Sequence, residues 1–139
     1  MRLSTKGRYA VMAMVDLAAQ GGERAVSLAE IAERQDISLS YLEQLFAKLR
    51  RRGLVQSARG PGGGYRLART ADETTIAEIV HAVDEPLRAT RCVGEKGCML
   101  RGERCLTHDL WADLGDRIED YLASVSLADV IGGRLRRAA

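Results

Sequence analysis

Aromatic residues are scarce in this chain: one Trp, four Tyr and one Phe make up 4% of 139 residues. A core must therefore be filled by Leu, Ile, Val, Met and Ala, the composition of a helical domain. Cysteine is nearly as rare, with three in the chain. An odd count does not suit a disulfide framework and directs attention to metal binding or redox chemistry in a reducing compartment. Long apolar runs are missing, and no segment approaches the roughly twenty apolar residues that cross a bilayer. The opening stretch, MRLSTKGRYAVMAMVDLAAQGG, has the basic start and apolar run of a signal peptide, but Asp16 breaks the run and Ser4 and Thr5 make its start polar. The expectation is a soluble cytoplasmic protein.

Apolar residues still make up 46% of the chain, enough to bury a core, and the length suits one domain with an appended arm or dimerisation element. The net charge of +2 conceals an imbalance. Residues 1–70 hold twelve Lys and Arg against six Asp and Glu, a net of +6, whereas residues 71–139 hold nine against thirteen, a net of −4. The basic half is the half to place on a polyanion.

The N-terminal half reads as a succession of punctuated elements. A first helix is expected over residues 4–20, with Ser4 as N-cap, Tyr9, Met12, Ala13 and Val15 as core positions, and the glycines at 21 and 22 closing it. Ser27 with Glu30 forms a capping box for a short second helix ending near Gln35. In DISLSYLEQLFAKLRRRG, Ser38 is placed as an N-cap, Ile37 and Leu42 as a hydrophobic staple and Gly53 as the left-handed stop. Leu39, Leu42, Leu45, Phe46 and Leu49 share one helical face, and Ser40, Gln44, Ala47 and Arg51 the other. Two short β-compatible runs, around Leu54 and Val55 and around Tyr65 and Leu67, flank RGPGGG and predict a hairpin with a basic tip.

Helix, turn, helix and Gly-tipped hairpin in that order are expected of a winged helix-turn-helix, in a mainly α fold with a small β-hairpin wing. In such a domain the second helix enters the major groove of DNA and reads bases near its N-terminus. The residues expected at DNA are then Ser40, Tyr41, Glu43, Gln44 and Lys48 on the helix, with Arg50 and Arg51 meeting phosphates and Arg59 entering a minor groove from the hairpin tip. Gln pairs bidentately with adenine and Glu accepts from cytosine, so the face carries base-reading chemistry.

Thr75 with Glu78 begins another capped helix, with Ile76, Ile79, Val80 and Val83 as its buried stripe; His81 on it has no evident partner in the sequence. Farther on, Trp111, Leu114, Ile118, Tyr121 and Val125 recur at spacings of 3, 4, 3 and 4. This seam is too short for a lone coiled coil but suits packing against a partner helix, and is expected to form a homodimer interface. Ser126 with Asp129 caps a final short helix. The expected organisation is a winged-helix domain over residues 1–85, a cysteine-rich loop over 86–108, a dimerisation helix and short helix over 109–132, and a loose basic tail over 133–139.

All three cysteines fall in RCVGEKGCMLRGERCLTHDLW, where Cys92, Cys98, Cys105 and His108 follow the spacing C-x5-C-x6-C-x2-H. Structural zinc sites usually draw on paired, tighter knuckles, and only Cys105 with His108 is tight here. A catalytic thiol calls for one activated cysteine beside a base. A cluster spread over two irons accommodates wider spacing, and imidazole can replace thiolate on iron. Spacing alone leaves zinc and iron–sulfur both open.

Taken together, MRLSTKGRYAV, ISLSYLEQLF, RGPGGGY, AVDE, ATRC and CLTHDLW resemble the IscR family of bacterial iron–sulfur cluster regulators, within a superfamily of winged-helix redox-sensing transcription factors. The similarity is colinear from Met1 to about Val130. The resemblance implies a homodimeric transcription factor, not an enzyme, that binds promoter DNA and carries a 2Fe-2S cluster on Cys92, Cys98, Cys105 and His108. It implies further that the cluster comes from the iron–sulfur assembly machinery and that its occupancy adjusts transcription of cluster-biogenesis genes. Family DNA readers match Ser40, Glu43, Gln44 and Arg59. One departure is the gap between Cys98 and Cys105, a residue longer than in the enterobacterial pattern. CLTH argues against the branches that sense nitric oxide with a 4Fe-4S cluster or lack the cysteines.

Overall fold

A computed structural model of the chain describes residues 5–21, 24–84 and 105–135. Six helices and one hairpin make up these segments: α1 (Thr5–Gly21), α2 (Leu28–Gln35), α3 (Leu39–Arg51), β1 (Val55–Ala58), β2 (Gly64–Leu67), α4 (Ile76–Ala82), α5 (His108–Ala123) and α6 (Leu127–Ile131). The expected mainly helical winged helix-turn-helix is present. Ser4, the expected cap of α1, lies outside the described residues, as do Cys92 and Cys98. Among the described residues no helix is long and apolar enough to cross a membrane.

Local chemistry sets the helix starts. Ser27, Thr75 and Ser126 each accept a hydrogen bond from the backbone N–H three residues on, and Glu30, Glu78 and Asp129 each reach back to the cap's own N–H. Each box satisfies two backbone donors that a helix start leaves without a partner. The end of α3 is as well defined. Gly53 sits at φ +75°, its N–H donates to the Arg50 carbonyl at 3.0 Å, and the Leu54 N–H reaches back to the Leu49 carbonyl at 3.0 Å. That Schellman stop turns the chain directly into the hairpin.

The core forms around α1, which touches α2, α3, α4, α6 and β2. Its buried stripe is Ala10, Ala13, Met14 and Leu17; of the expected set only Ala13 is fully buried, while Tyr9, Met12 and Val15 pack at the core's edge. Neighbours on several sides centre α1 on its small alanines, and this rotates the stripe by about one residue. Leu42, Leu45, Phe46 and Leu49 of α3 and Ile76, Ile79, Val80 and Val83 from α4 complete the interior as expected. Leu39 departs from expectation: it is 44% exposed. It lies in the first turn of α3, where Ile37 and Leu42 on either side of it are the residues buried in the core.

The C-terminal segment returns to the same core. Val125 and Leu127 are buried in it, the Ile76 N–H donates to the Val125 carbonyl, and the Leu127 N–H donates to the Thr74 carbonyl, both at 2.9 Å. Val125 therefore corrects the expected seam: it lies beyond the end of α5 and faces its own domain. Ile118 and Leu122 also lean on this core, whereas Leu110, Trp111, Leu114 and Tyr121 are exposed. His81, which had no evident partner in the sequence, meets Glu119 of α5, with Nε2 2.7 Å from Oε1. The start of the tail is held too, because the Arg134 N–H donates to the Asp129 carbonyl at 2.9 Å.

Among the described residues one charged group is buried in this fold. Asp16 is 5% exposed and accepts from Arg34 Nη2 at 2.7 Å, Arg34 Nε at 3.0 Å and Gln35 Nε2 at 2.8 Å. Burial alone would raise its carboxyl, but the Arg34 and Gln35 hydrogen bonds and the Arg34 charge outweigh burial and hold it below the usual range. Asp16→Ala is expected to destabilise the fold by roughly 1.5–3 kcal/mol, the range for hydrogen bonds to a charged group. Arg34→Ala should cost more, since it strands a buried carboxylate. Because the folded carboxyl is the more acidic one, its contribution is full above the ordinary carboxylate range and is lost as pH falls through the lowered value. Chemical denaturation at stepped pH should give a wild-type advantage over Asp16→Ala that is constant near neutrality and shrinks below about pH 4.

Candidate nucleic-acid interface

The helix pair that would approach DNA is built from the outside of this core. Because Leu42, Leu45, Phe46 and Leu49 face inward, Ser40, Glu43, Gln44, Ala47 and Arg51 are all exposed along the other side of α3. Ser38 caps the helix by accepting from the Tyr41 N–H at 3.2 Å. No acidic residue occupies the first turn of α3, whereas α2, α4 and α6 each carry a carboxylate there. The positive end of the α3 dipole is thus left without a neutralising carboxylate in its own first turn, a setting that favours an approaching phosphate.

The hairpin is fixed to this helix by aromatic contact. Phe46 of α3 and Tyr65 of β2 pack edge-to-face with centroids 5.0 Å apart and planes at 60°. β1 pairs antiparallel with β2 from Val55 opposite Leu67 to Ala58 opposite Gly64. Val26, just before α2, exchanges two backbone hydrogen bonds of 2.8 Å with Tyr65. Gly64 permits that approach, for a Cβ there would lie 2.2 Å from the Val26 carbonyl oxygen. The wing is consequently braced on both α3 and the strand-like entry to α2. Arg59 stands exposed in the turn between the strands.

Not every residue expected at DNA faces outward. Tyr41 is half-buried, its ring edge-to-face with Tyr9 at 5.9 Å. Lys48 is half-buried and engaged within the fold: its ammonium lies 3.1 Å from Asp84, and that hydrogen bond and charge, aided by Arg52, hold the Asp84 carboxyl below its usual range. Arg50, Arg51 and Arg59 are exposed and, among the described residues, take part in no ion pair. Asp84 and Glu119 were missed in the sequence. Each finds its partner across more than thirty residues, Lys48 and His81 respectively, and no local pattern signals such a pair.

The two described members of the cysteine–histidine set lie together at the start of α5. His108, expected to end the loop, is the first residue of that helix, and its N–H donates to the Cys105 carbonyl at 3.1 Å. The Cys105 sulfur lies 3.3 Å from the Thr107 hydroxyl, which also accepts from the Trp111 indole N–H at 3.1 Å. Among the described residues no three ligating side chains converge, and Cys92 and Cys98 lie outside that set.

A polar helix face on an aliphatic core, followed by a hairpin braced against it, defines a winged helix-turn-helix DNA-binding protein. The chain belongs to the Rrf2 family, described as iron-dependent transcriptional regulators, which it matches over residues 3–133. It is 58% identical over 134 residues to the HTH-type transcriptional regulator IscR of Photorhabdus laumondii, covering 96% of this chain and 81% of that protein. The IscR of Pectobacterium carotovorum is 55% identical over the same shares of each chain. Among solved structures, T. potens IscR matches with a TM-score of 0.78 and 39% identity, over 100% of this chain and 93% of that one. CymR, the global cysteine regulator of B. subtilis, matches with a TM-score of 0.81 and 34% identity, over 96% and 98%. These relatives are transcriptional regulators, not enzymes, and this chain is a DNA-binding transcriptional regulator.

Two substitutions separate base reading from phosphate attraction on α3. Gln44→Ala is expected to weaken binding to a selected operator by about 1–3 kcal/mol while leaving random duplex nearly unaffected, as a lost bidentate base contact would. Arg51→Ala should weaken both alike and flatten the salt dependence by about one phosphate contact. Fluorescence anisotropy titrations over several salt concentrations measure both, and equal losses on operator and random DNA would remove Gln44 from base readout.

Proposed function

We propose that the protein is an iron–sulfur-cluster-sensing regulator, acting in the cytoplasm, that binds promoter DNA as a homodimer and controls genes of iron–sulfur cluster biogenesis. The observation that carries this reading is the placement of Cys105 and His108 in one turn at the start of α5, a helix tied to the reading domain through Glu119 and His81. Their donor chemistry fits: a half-buried thiol and an imidazole, with two further thiols at Cys92 and Cys98, form a set that suits a 2Fe-2S core. When bound, such a cluster supplies a one-electron, oxidant-sensitive centre whose donor is the cell's assembly machinery. The chain's own part is to keep thiol and imidazole adjacent and to connect them to α5. The Thr107 hydroxyl connects the thiol to α5 by touching both the Cys105 sulfur and the Trp111 indole.

Anaerobic purification with visible spectroscopy and iron, sulfide and zinc analysis tests this reading. Visible absorbance with two irons and two sulfides per chain is expected, and Cys105→Ala should lose it. A colourless protein with stoichiometric zinc would instead establish a metal-stabilised repressor.

The dimer reading rests on Leu110, Trp111, Leu114 and Tyr121, which lie exposed on α5 with Trp111 and Leu114 each at 37% and Tyr121 at 48%. Such a row buries itself in an isologous contact with the same helix of a second copy, which sets two reading heads against two half-sites. Leu114→Asp would place a carboxylate in that contact without touching the monomer's own core. Sedimentation at micromolar concentration should show wild type as a dimer and this variant as a folded monomer; a dimeric variant would place the interface elsewhere.

A further inference from the structure

The C-terminal half of α3 and its cap carry Lys48, Arg50, Arg51 and Arg52, four cations in five residues. Two of them are engaged by one carboxylate. Lys48 Nζ lies 3.1 Å from Asp84 Oδ2 and Arg52 Nη2 lies 4.0 Å from Asp84 Oδ1. Asp84 follows α4 in the left-handed region, at φ +60°, a conformation that Asp tolerates better than most residues. The Asp84 side chain remains 59% exposed, and exposed ion pairs contribute little to stability. The effect of its charge therefore falls on what Lys48 and Arg52 are able to bind.

We propose that Asp84 is a specificity-determining residue: it occupies Lys48 and Arg52 as a phosphate would and so withholds them from the backbone of non-cognate DNA. The inference rests on α3 being the reading helix. Phosphate contacts raise affinity for every sequence alike, while specificity is the difference between operator and random DNA. A recognition helix ending in four unrestrained cations would bind indiscriminately. With Lys48 and Arg52 held by Asp84, Arg50 and Arg51 supply the positioning charge and the exposed face beginning at Ser40 supplies the discrimination. The same geometry explains why Lys48, on a helix otherwise suited to DNA, turns toward the end of α4.

The test compares the full chain with Asp84→Asn, Lys48→Ala and the double variant on a random-sequence 30-bp duplex and on a duplex selected by the wild-type protein. Removing the carboxylate should steepen the salt dependence on random DNA by about 0.9 for each phosphate newly contacted. Each such contact means an additional loss of about 3.5-fold in affinity between 50 and 200 mM salt. The ratio of selected to random affinity should fall. Lys48→Ala should leave the wild-type slope unchanged yet remove the Lys48 share of the added slope in the Asp84→Asn background, leaving the part that Arg52 supplies. Equal slopes for wild type and Asp84→Asn overturn the proposal, as does a flattened slope for Lys48→Ala alone, which needs no Asp84 variant to fold. A wild-type chain that selects no duplex would overturn the assignment of α3 itself, and the inference with it.

Discussion

The buried carboxylate of Asp16 is the contact on which the geometry of the reading head depends. It lies on α1, the helix about which the core is assembled, and it is held by Arg34 and Gln35 at the end of α2. An aliphatic interface between two short helices tolerates sliding, because Leu, Ala and Ile contacts have no direction. Hydrogen bonds from three nitrogen donors to one carboxylate do have direction. They fix the end of α2, hence the tight left-handed turn at Asp36, hence the angle at which α3 leaves the core. The wing inherits that angle through Phe46 and Tyr65.

Much of this architecture was legible in the sequence because it is encoded locally. Capping boxes at Ser27, Thr75 and Ser126, the staple of Ile37 and Leu42 and the glycine stop at Gly53 each act within six residues, and each is present. What escaped was set by tertiary contact. The buried stripe of α1 depends on neighbours on several sides, so a one-sided pattern misplaced it. Leu39 looked like core by spacing and is exposed, Ile37 and Leu42 on either side of it being the buried residues. Asp84 with Lys48 and Glu119 with His81 join positions far apart in the chain, and charge pattern alone cannot pair them. The exposed polar face of α3 was legible for a related reason: such a face is the complement of an aliphatic one, and α3 displays both. Tyr41 and Lys48 mark where that complement fails, one drawn onto Tyr9 and the other onto Asp84.

The described parts of the cysteine–histidine set sit where a regulator would want them. Cys105 and His108 begin α5, and α5 meets the reading domain through Glu119, Ile118 and Leu122. A change at the start of that helix is therefore mechanically adjacent to α4. From α4 it passes to α3, since α4 rests against α3 and Asp84 clasps its far end. No long pathway is needed, because the elements are already in contact.

The pairing of Thr75 with Ser126 stitches both ends of the intervening sequence into one core, so that the chain between them is closed as a loop is in polymer terms. Closing a loop costs chain entropy, and that cost falls when the loop's own residues are cross-linked before the ends meet. A ligand that bridged residues within this stretch would therefore act on folding. It would shorten the effective loop and so raise the stability of the DNA-reading core to which both ends belong. Cellular lifetime of the regulator would then report on that binding, since a less stable core is degraded faster.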